Sequence, residues 1–307
     1  MLLGVHHAKL RVADAGEAAE RWARLYGLTE TESAGAQGTL LRCAYEDFCL
    51  ELEQADSPGV EHVAYELRST ISLDEAAARI RDAGSDCEQV EVPLRGRGLR
   101  LADPDGNLIV LVERVIADDR KPAVARFTDE LPAFHPRKLQ HLNYLTADAP
   151  RMAEWYESAL GLGVSDWIGD GAVWMHADRD HHVVAFLDKG YEHIHHLAFE
   201  LTDWGEMRVA LDHLAQYRRP IAWGPGRHTM AQNLFAYCRM VEEDVFVELF
   251  CDMEQLEPDH EPRFFDDDPH GSNAWGILPP RSYFRFDQAA VEAEVQQLEA
   301  QQGLGPG

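Results

Sequence analysis

The sequence predicts an α+β protein built from tandem βαβββ modules, two in each half of the chain. Two observations carry that prediction. The first is an internal repeat: His7-Ala8-Lys9-Leu10-Arg11-Val12-Ala13-Asp14 returns as His141-Leu142-Asn143-Tyr144-Leu145-Thr146-Ala147-Asp148, at an offset of 134 residues. Gly27-Leu28 and Gly161-Leu162 keep that offset, as do His62-Val63-Ala64-Tyr65 and His196-Leu197-Ala198-Phe199. Three blocks at one constant spacing mark a tandem duplication. The second observation is the order of patterns in each half, strand, helix and then several strands, given twice.

The elements follow in order. Residues 9–12 alternate as a strand, and Asp14 caps an amphipathic helix over 17–26 that Gly27 ends. Strand-like runs come next at 39–44 and 48–52. A second module starts at His62, with a helix over 73–83 closed by Gly84. Strands over 99–102 and 108–112 then flank the turn Asp103-Pro104-Asp105-Gly106. The second half repeats the scheme, with helices over 149–160 and 205–216 and strands over 173–176, 183–187, 234–239 and 245–250. The chain thus divides into a first βαβββ pair at 1–117, a polar linker at 118–137, a second pair at 138–252 and an extension at 253–307. The extension is rich in Asp, Pro and His until residues 288–301, which have helical composition.

Charge and composition exclude several function classes. Lys and Arg number 28 against 54 Asp and Glu, a formal charge of −26. A field of that sign repels phosphate backbones and anionic headgroups, so neither nucleic acid nor a membrane surface is an expected partner. No apolar run approaches the roughly 18 residues that span a bilayer, and the first residues lack the pattern of a signal peptide. Five cysteines, with no CxxC pair, suit a reduced cytoplasmic protein. Fifteen histidines raise the expectation of a metal site.

Three residues of the second half stand out. His141 opens its first strand, His196 opens the first strand of the next module, and Glu248 lies in the last strand. Two neutral imidazoles and one carboxylate on a face with open positions form the donor set of non-haem Fe(II) oxygenases. Each residue alone has a plainer reading, as a hydrogen-bonded strand-end histidine or as the outward glutamate of an alternating strand. The repeat favours the metal reading, because equivalent positions of paired modules converge on the centre of one cup-shaped sheet.

The βαβββ repeat, the run His195-His196-Leu197-Ala198-Phe199 and the closing Val247-Glu248-Leu249-Phe250-Cys251 resemble the vicinal oxygen chelate (glyoxalase-like) superfamily. More narrowly, they resemble its two-domain type I extradiol catechol dioxygenases. The most specific part is Gly224-Pro225-Gly226-Arg227-His228, followed by Tyr237 and then Glu248, and the resemblance runs to about Tyr283. It implies Fe(II), or Mn(II), which takes similar ligands, held by His141, His196 and Glu248, with O2 as co-substrate. It gives His182 an acid–base role. His181 is the one-register alternative, which strand parity would turn to the opposite face. It assigns His228 and Tyr237 hydrogen bonds to the substrate and Asn143 a place near dioxygen; Trp174 is read as a pocket wall or, equally, as a core aromatic. The implied reaction opens a catecholic ring beside the diol to a 2-hydroxymuconic-semialdehyde-type product, and the implied assembly is a homo-oligomer.

The sequence also departs from the family. The turn Met240-Val241-Glu242-Glu243-Asp244 is one residue longer than usual, which makes Glu242 and Glu243 rivals for the carboxylate position. Trp223 and Ser272 stand where the homoprotocatechuate branch carries arginines that hold a substrate carboxylate, so a carboxylate-bearing catechol is not expected. In the first half Val110 stands where Glu248 does, so His6, His7 and His62 are expected to pack in a metal-free pair. Two other functions fit the same fold. One is a metal-dependent lyase or isomerase of the glyoxalase type, with a fourth protein ligand and no dioxygen. The other is a non-catalytic protein that sequesters a small molecule.

Overall fold

A computed structural model of the protein describes residues 1–31, 38–44, 46–115, 134–268 and 271–286, with residues 289, 292, 293 and 296 beyond them. Most of the expected linker and most of the 288–301 stretch lie outside the described residues. The first half runs β1 (Leu2–Val12), α1 (Ala15–Tyr26), β2 (Thr29–Glu30), β3 (Thr39–Arg42), β4 (Leu50–Gln54), β5 (Gly59–Leu67), α2 (Leu73–Asp82), β6 (Glu88–Val92), β7 (Gly96–Ala102) and β8 (Leu108–Val112). The second runs β9 (Lys138–Thr146), α3 (Ala149–Leu160), β10 (Gly163–Ile168), β11 (Ala172–His176), β12 (Val184–Asp188), β13 (His193–Glu200), α4 (Trp204–Gln216), β14 (Trp223–Arg227), β15 (Leu234–Met240) and β16 (Val245–Cys251). A short β17 (Arg263–Phe265) and a 3-10 turn at Arg281–Phe284 follow.

Each half forms one mixed sheet, ordered β2-β3-β4-β1-β5-β8-β7-β6 and β14-β15-β16-β13-β9-β12-β11-β10-β17. In both, two four-stranded modules join through their antiparallel first strands, β1 with β5 and β9 with β13. The repeat is visible in the helix ends. The Asp14 and Asp148 carboxylates accept the Glu17 and Arg151 N–H groups, and Gly27 and Gly161 close the helices at φ 69° and 70°. That left-handed conformation is where glycine costs least.

Alternate strand residues go to opposite faces. Leu142, Tyr144, Leu197, Phe199, Val247 and Leu249 join one core cluster that also holds Trp22, Leu25 and Tyr65 of the first half. Helix α1 packs against α4 and α2 against α3, and Trp22 comes within 6.0 Å, ring to ring, of Phe199. The helices therefore lie between the sheets, and each sheet keeps its other face for a cup. The described end of the linker is docked. Phe134 is buried, the Ala44 N–H donates to the Pro136 carbonyl at 3.1 Å, and His135 Nδ1 donates to the Gly27 carbonyl at 2.6 Å.

Five strands were absent from the sequence reading: β2, β6, β10, β14 and β17. β10 carries buried Ser165 and Asp166, which spoil its apolar alternation. β14 is Trp-Gly-Pro-Gly-Arg, poor in strand formers, and forms by pairing with β15. Gly224 there has φ +106°, and a Cβ on it would lie 2.9 Å from the Phe235 carbonyl oxygen. β17 lies in the extension, where little regular structure was expected, and it adds a parallel strand beside β10. Among the described residues no helix is long and apolar enough to cross a membrane.

Candidate active site

Strand alternation aims the site residues at the cup of the second sheet. His141 and Asn143 alternate with core residues on β9, and Glu248 sits between Val247 and Leu249 on β16. His196, Ala198 and Glu248 lie together because β13 and β16 pair with Ala198 opposite Glu248. Glu248 Oε2 is 3.0 Å from His141 Nε2 and 3.2 Å from His196 Nε2. All three residues are buried, and one donor atom from each lies within 4.8 Å of the others.

The hydrogen bonds behind these residues show what the cluster can hold. His141 Nδ1 is 2.7 Å from the Gln140 side-chain oxygen, which can only accept. The Gln140 amide is oriented by its Nε2, which donates to Asp180 at 3.1 Å and to the His182 carbonyl at 3.0 Å. His141 therefore donates through Nδ1, and as a neutral ring it turns an Nε2 lone pair toward Glu248. The same logic applies to His196. His195 Nε2 donates to the Tyr283 carbonyl at 2.7 Å, so neutral His195 accepts through Nδ1 from His196 Nδ1 at 2.9 Å. His196 is left with a bare Nε2 as well. Two lone pairs and a carboxylate facing one another need a cation between them, so these residues fit a divalent metal.

The electrostatics agree. Burial alone would push Glu248 up, but its histidine neighbours His141 and His196 outweigh it and hold the carboxyl well below its usual range, so it is the ionised member of the cluster. Burial lowers His196 and keeps the imidazole neutral, as a ligand must be. The remaining oxygen, Oε1, accepts from Asn233 Nδ2 at 3.1 Å. Asn233 was missed by the sequence reading, as was Gln140; neither has a motif of its own.

Above this cluster lies a cavity of about 370 Å³. Its lining includes all of the expected pocket residues: Asn143, Trp174, His182, His228 and Tyr237. His228 Nδ1 donates to the Ser272 carbonyl at 2.8 Å, so its Nε2 accepts from the Tyr237 hydroxyl at 3.0 Å. Burial lowers His228 to about 4, and burial with the Glu248 charge raises the Tyr237 hydroxyl well above its usual value. Trp223 stacks on Tyr237 with ring centres 5.5 Å apart. Asn143 Oδ1 is buried without a hydrogen-bond partner among the described residues. Ile168, Leu187 and Leu278 make the outer wall apolar, and Lys189 is a cation there, its ammonium 4.6 Å from the Phe284 ring.

Two expectations are corrected or resolved. Strand parity does not separate His181 from His182, because β12 begins only at Val184 and the doublet precedes it. Both rings are buried, and His181 lies behind His182, Nδ1 to Nδ1 at 3.1 Å. His181 Nε2 is 2.8 Å from Asp166, which in turn takes two hydrogen bonds from Arg263 of β17. The rival glutamates are engaged elsewhere: Glu242 pairs with Arg219 and Glu243 with Arg21.

Comparison with known proteins places this site in context. Residues 138–246 match the Glyoxalase/Bleomycin resistance protein/Dioxygenase superfamily. The chain is 28% identical over 257 residues to metapyrocatechase 2 of Cupriavidus necator, covering 76% of each protein. Its fold is similar to that of homoprotocatechuate 2,3-dioxygenase of Brevibacterium fuscum, solved with 3,4-dihydroxyphenylacetate, at a TM-score of 0.81 and 23% identity over 92% of this chain and 91% of that one. It is also similar to a Mn(II)-bound glyoxalase of Novosphingobium aromaticivorans, at a TM-score of 0.80 and 24% identity over 92% and 94%. At those identities the structural likenesses speak for the fold. Joined to the sequence match and to the tandem βαβββ architecture, they lead to one conclusion: the second half of the chain matches the Glyoxalase/Bleomycin resistance protein/Dioxygenase superfamily, and the chain as a whole is similar to extradiol dioxygenases.

Proposed function

We infer that the protein is an extradiol dioxygenase that opens a catecholic ring beside the diol. The observation that carries this reading is the His141–His196–Glu248 cluster at the floor of an apolar cavity, with His182, His228 and Tyr237 around it. Fe(II) is the ion proposed for the cluster; Mn(II) accepts the same donors. When bound, it would supply Lewis acidity toward the diol and one-electron chemistry with dioxygen.

The chain's own residues supply the rest. A neutral His181 that donates to Asp166 accepts from His182 Nδ1–H, which leaves a lone pair on His182 Nε2. His182 is thereby ready to take a proton from a bound catechol and to return it when the ring opens. Burial, and then His141, lower His182 well below the usual histidine range, so the ring enters the reaction unprotonated. The Tyr237 hydroxyl stays protonated, donates to His228 Nε2, and can accept through its oxygen from a diol O–H of the substrate. The apolar residues Ile168, Leu187 and Leu278 of the outer wall suit a ring without a carboxylate.

The glyoxalase-type reading needs a fourth protein ligand. The twofold relation between the modules matches His196 with His141, Ala198 with Asn143, and Glu248 with Ala185. Alanine cannot ligate, so among the described residues this cluster holds three donors where that reading asks for four. The deciding experiment is anaerobic loading with Fe(II), then addition of catechol, alkylcatechols and 2,3-dihydroxybiphenyl with O2 present. Oxygen uptake with a yellow ring-opened product is expected. A flat oxygen trace with every catechol would sink the proposal.

A further inference from the structure

The first sheet carries a second set of two histidines and a carboxylate, in mirror arrangement. His7 lies on β1 and His62 on β5, at the positions of His141 and His196. Val110 does stand at the place of Glu248, opposite Ala64 as Glu248 is opposite Ala198. The module twofold, however, offers a second place for the carboxylate. That place is Ala185 in the second sheet, opposite Asn143, and Glu51 in the first, opposite Lys9. The duplication has thus kept two histidines and one carboxylate in each cup, with the carboxylate moved to the other module.

The geometry brings these groups together. His7 Nε2 and His62 Nε2 are 3.4 Å apart, and one donor atom each of His7, Glu51 and His62 lies within 4.8 Å of the others. A tetrahedral zinc ion with Zn–N bonds of 2.0–2.1 Å sets its two nitrogens roughly 3.3–3.4 Å apart. That is the observed spacing, and it is long for an N–H···N hydrogen bond. His7 Nδ1 is held by His6 Nδ1 at 2.6 Å, the same neighbour-to-neighbour support that His195 gives His196. The Lys9 ammonium now neutralises the buried Glu51 carboxylate at 3.2 Å. It is also 3.2 Å from Glu53, an exposed side chain to which it can retreat when another cation arrives. His62 is only partly buried and gives the ion a way in.

We propose that His7, Glu51 and His62 form a second divalent-metal site, suited to Zn2+, in the first half of the chain. The sequence expectation of a metal-free first half rested on Val110, on Glu113 facing the other way and on the family resemblance, and it did not weigh Glu51. The site is closely packed: Phe48 covers His7 with ring centres 4.5 Å apart, and Leu40, Val92, Val110 and Val112 pack together in the cup. Its role is accordingly to hold the sheet together rather than to turn over a substrate.

The test uses zinc alone as the probe. Equilibrium dialysis of the H141A/E248A variant against Zn2+, followed by metal analysis, should leave about one zinc per chain. Adding H62A or E51Q should remove it. K9M, which deletes the competing ammonium, should tighten binding by tenfold or more. The inference fails if H141A/E248A holds no zinc, or if its zinc survives both H62A and E51Q. Should the double variant not fold, iron-loaded wild-type protein titrated with Co2+ gives an independent reading. One further ion with the visible bands of tetrahedral cobalt is expected, and it should be absent in H62A; no uptake beyond the iron would overturn the proposal.

Discussion

His181 Nδ1 lies 3.1 Å from His182 Nδ1, and the two rings stand nearly perpendicular, at 85°. The residue expected to point away from the site is therefore its support. His182→Phe should keep iron and catechol binding and slow ring opening by roughly 10²–10⁴-fold, the usual worth of a positioned acid–base group. His181→Phe should cost at least tenfold and move the acidic limb of the kcat profile, because His182 loses the partner that selects its tautomer. Asp166→Asn should shift the same limb. A His181→Phe enzyme with unchanged rate and pH profile would show that the contact is packing alone.

Metal retention separates the carboxylates. Glu248→Ala should lose iron or nearly all affinity for it. Glu113→Ala should retain iron, since that exposed carboxylate only accepts the Leu73 N–H at the start of α2. Its loss should cost stability of about 1 kcal/mol, as for other helix-end partners. Metal analysis with thermal melts of both variants checks the pair; equal iron loss would move the ligand assignment away from Glu248.

Substrate preference follows from the outer wall. Trp223 Nε1 is spent on the Ile277 carbonyl at 3.0 Å, and Ser272 has at most a neutral hydroxyl to offer, so neither gives a carboxylate the charged, two-pronged partner that an arginine would. Catechol and alkylcatechols should show kcat/KM at least tenfold above carboxylated catechols. The opposite order would point to Lys189, and Lys189→Met would then abolish the advantage of the acids.

Acid should destabilise the metal-free protein early. Burial holds His228 and His62 to about 4 in the folded chain, against 6.5 for an ordinary histidine. Between those values the unfolded chain binds protons that the folded chain refuses, so stability is complete above pH 6.5 and falls as pH drops toward 4. Urea midpoints of apoprotein should fall steadily from pH 7 to pH 5, and His228→Gln should flatten the slope. A midpoint independent of pH over that window would contradict the buried neutral state.

Much of this was legible in the sequence because strand parity and a 134-residue offset are both properties of sequence order. His141, His196 and Glu248 sit on alternating strands, so their shared face follows from the pattern. The supports were harder to see. Asn233 and Tyr283 reach the site from a loop and from the C-terminal extension, and no periodicity marks them. One signal was available and not used: His6-His7, His181-His182 and His195-His196 are doublets in which the first ring holds Nδ1 of the second. Parity failed at residues 181 and 182 because an irregular segment obeys no alternation.

The pairing of β17 with β10 has a consequence for biosynthesis. Arg263 secures Asp166, and Tyr283 receives His195, so two supports of the site are translated after every residue assigned to the metal or the acid–base step. A nascent chain that has emerged only through β16 contains every strand of both sheets except β17 and already carries all three proposed ligands. Its His182 and His196 would still lack their outermost supports. Ring-opening competence should therefore arrive last on the ribosome, with the emergence of the extension.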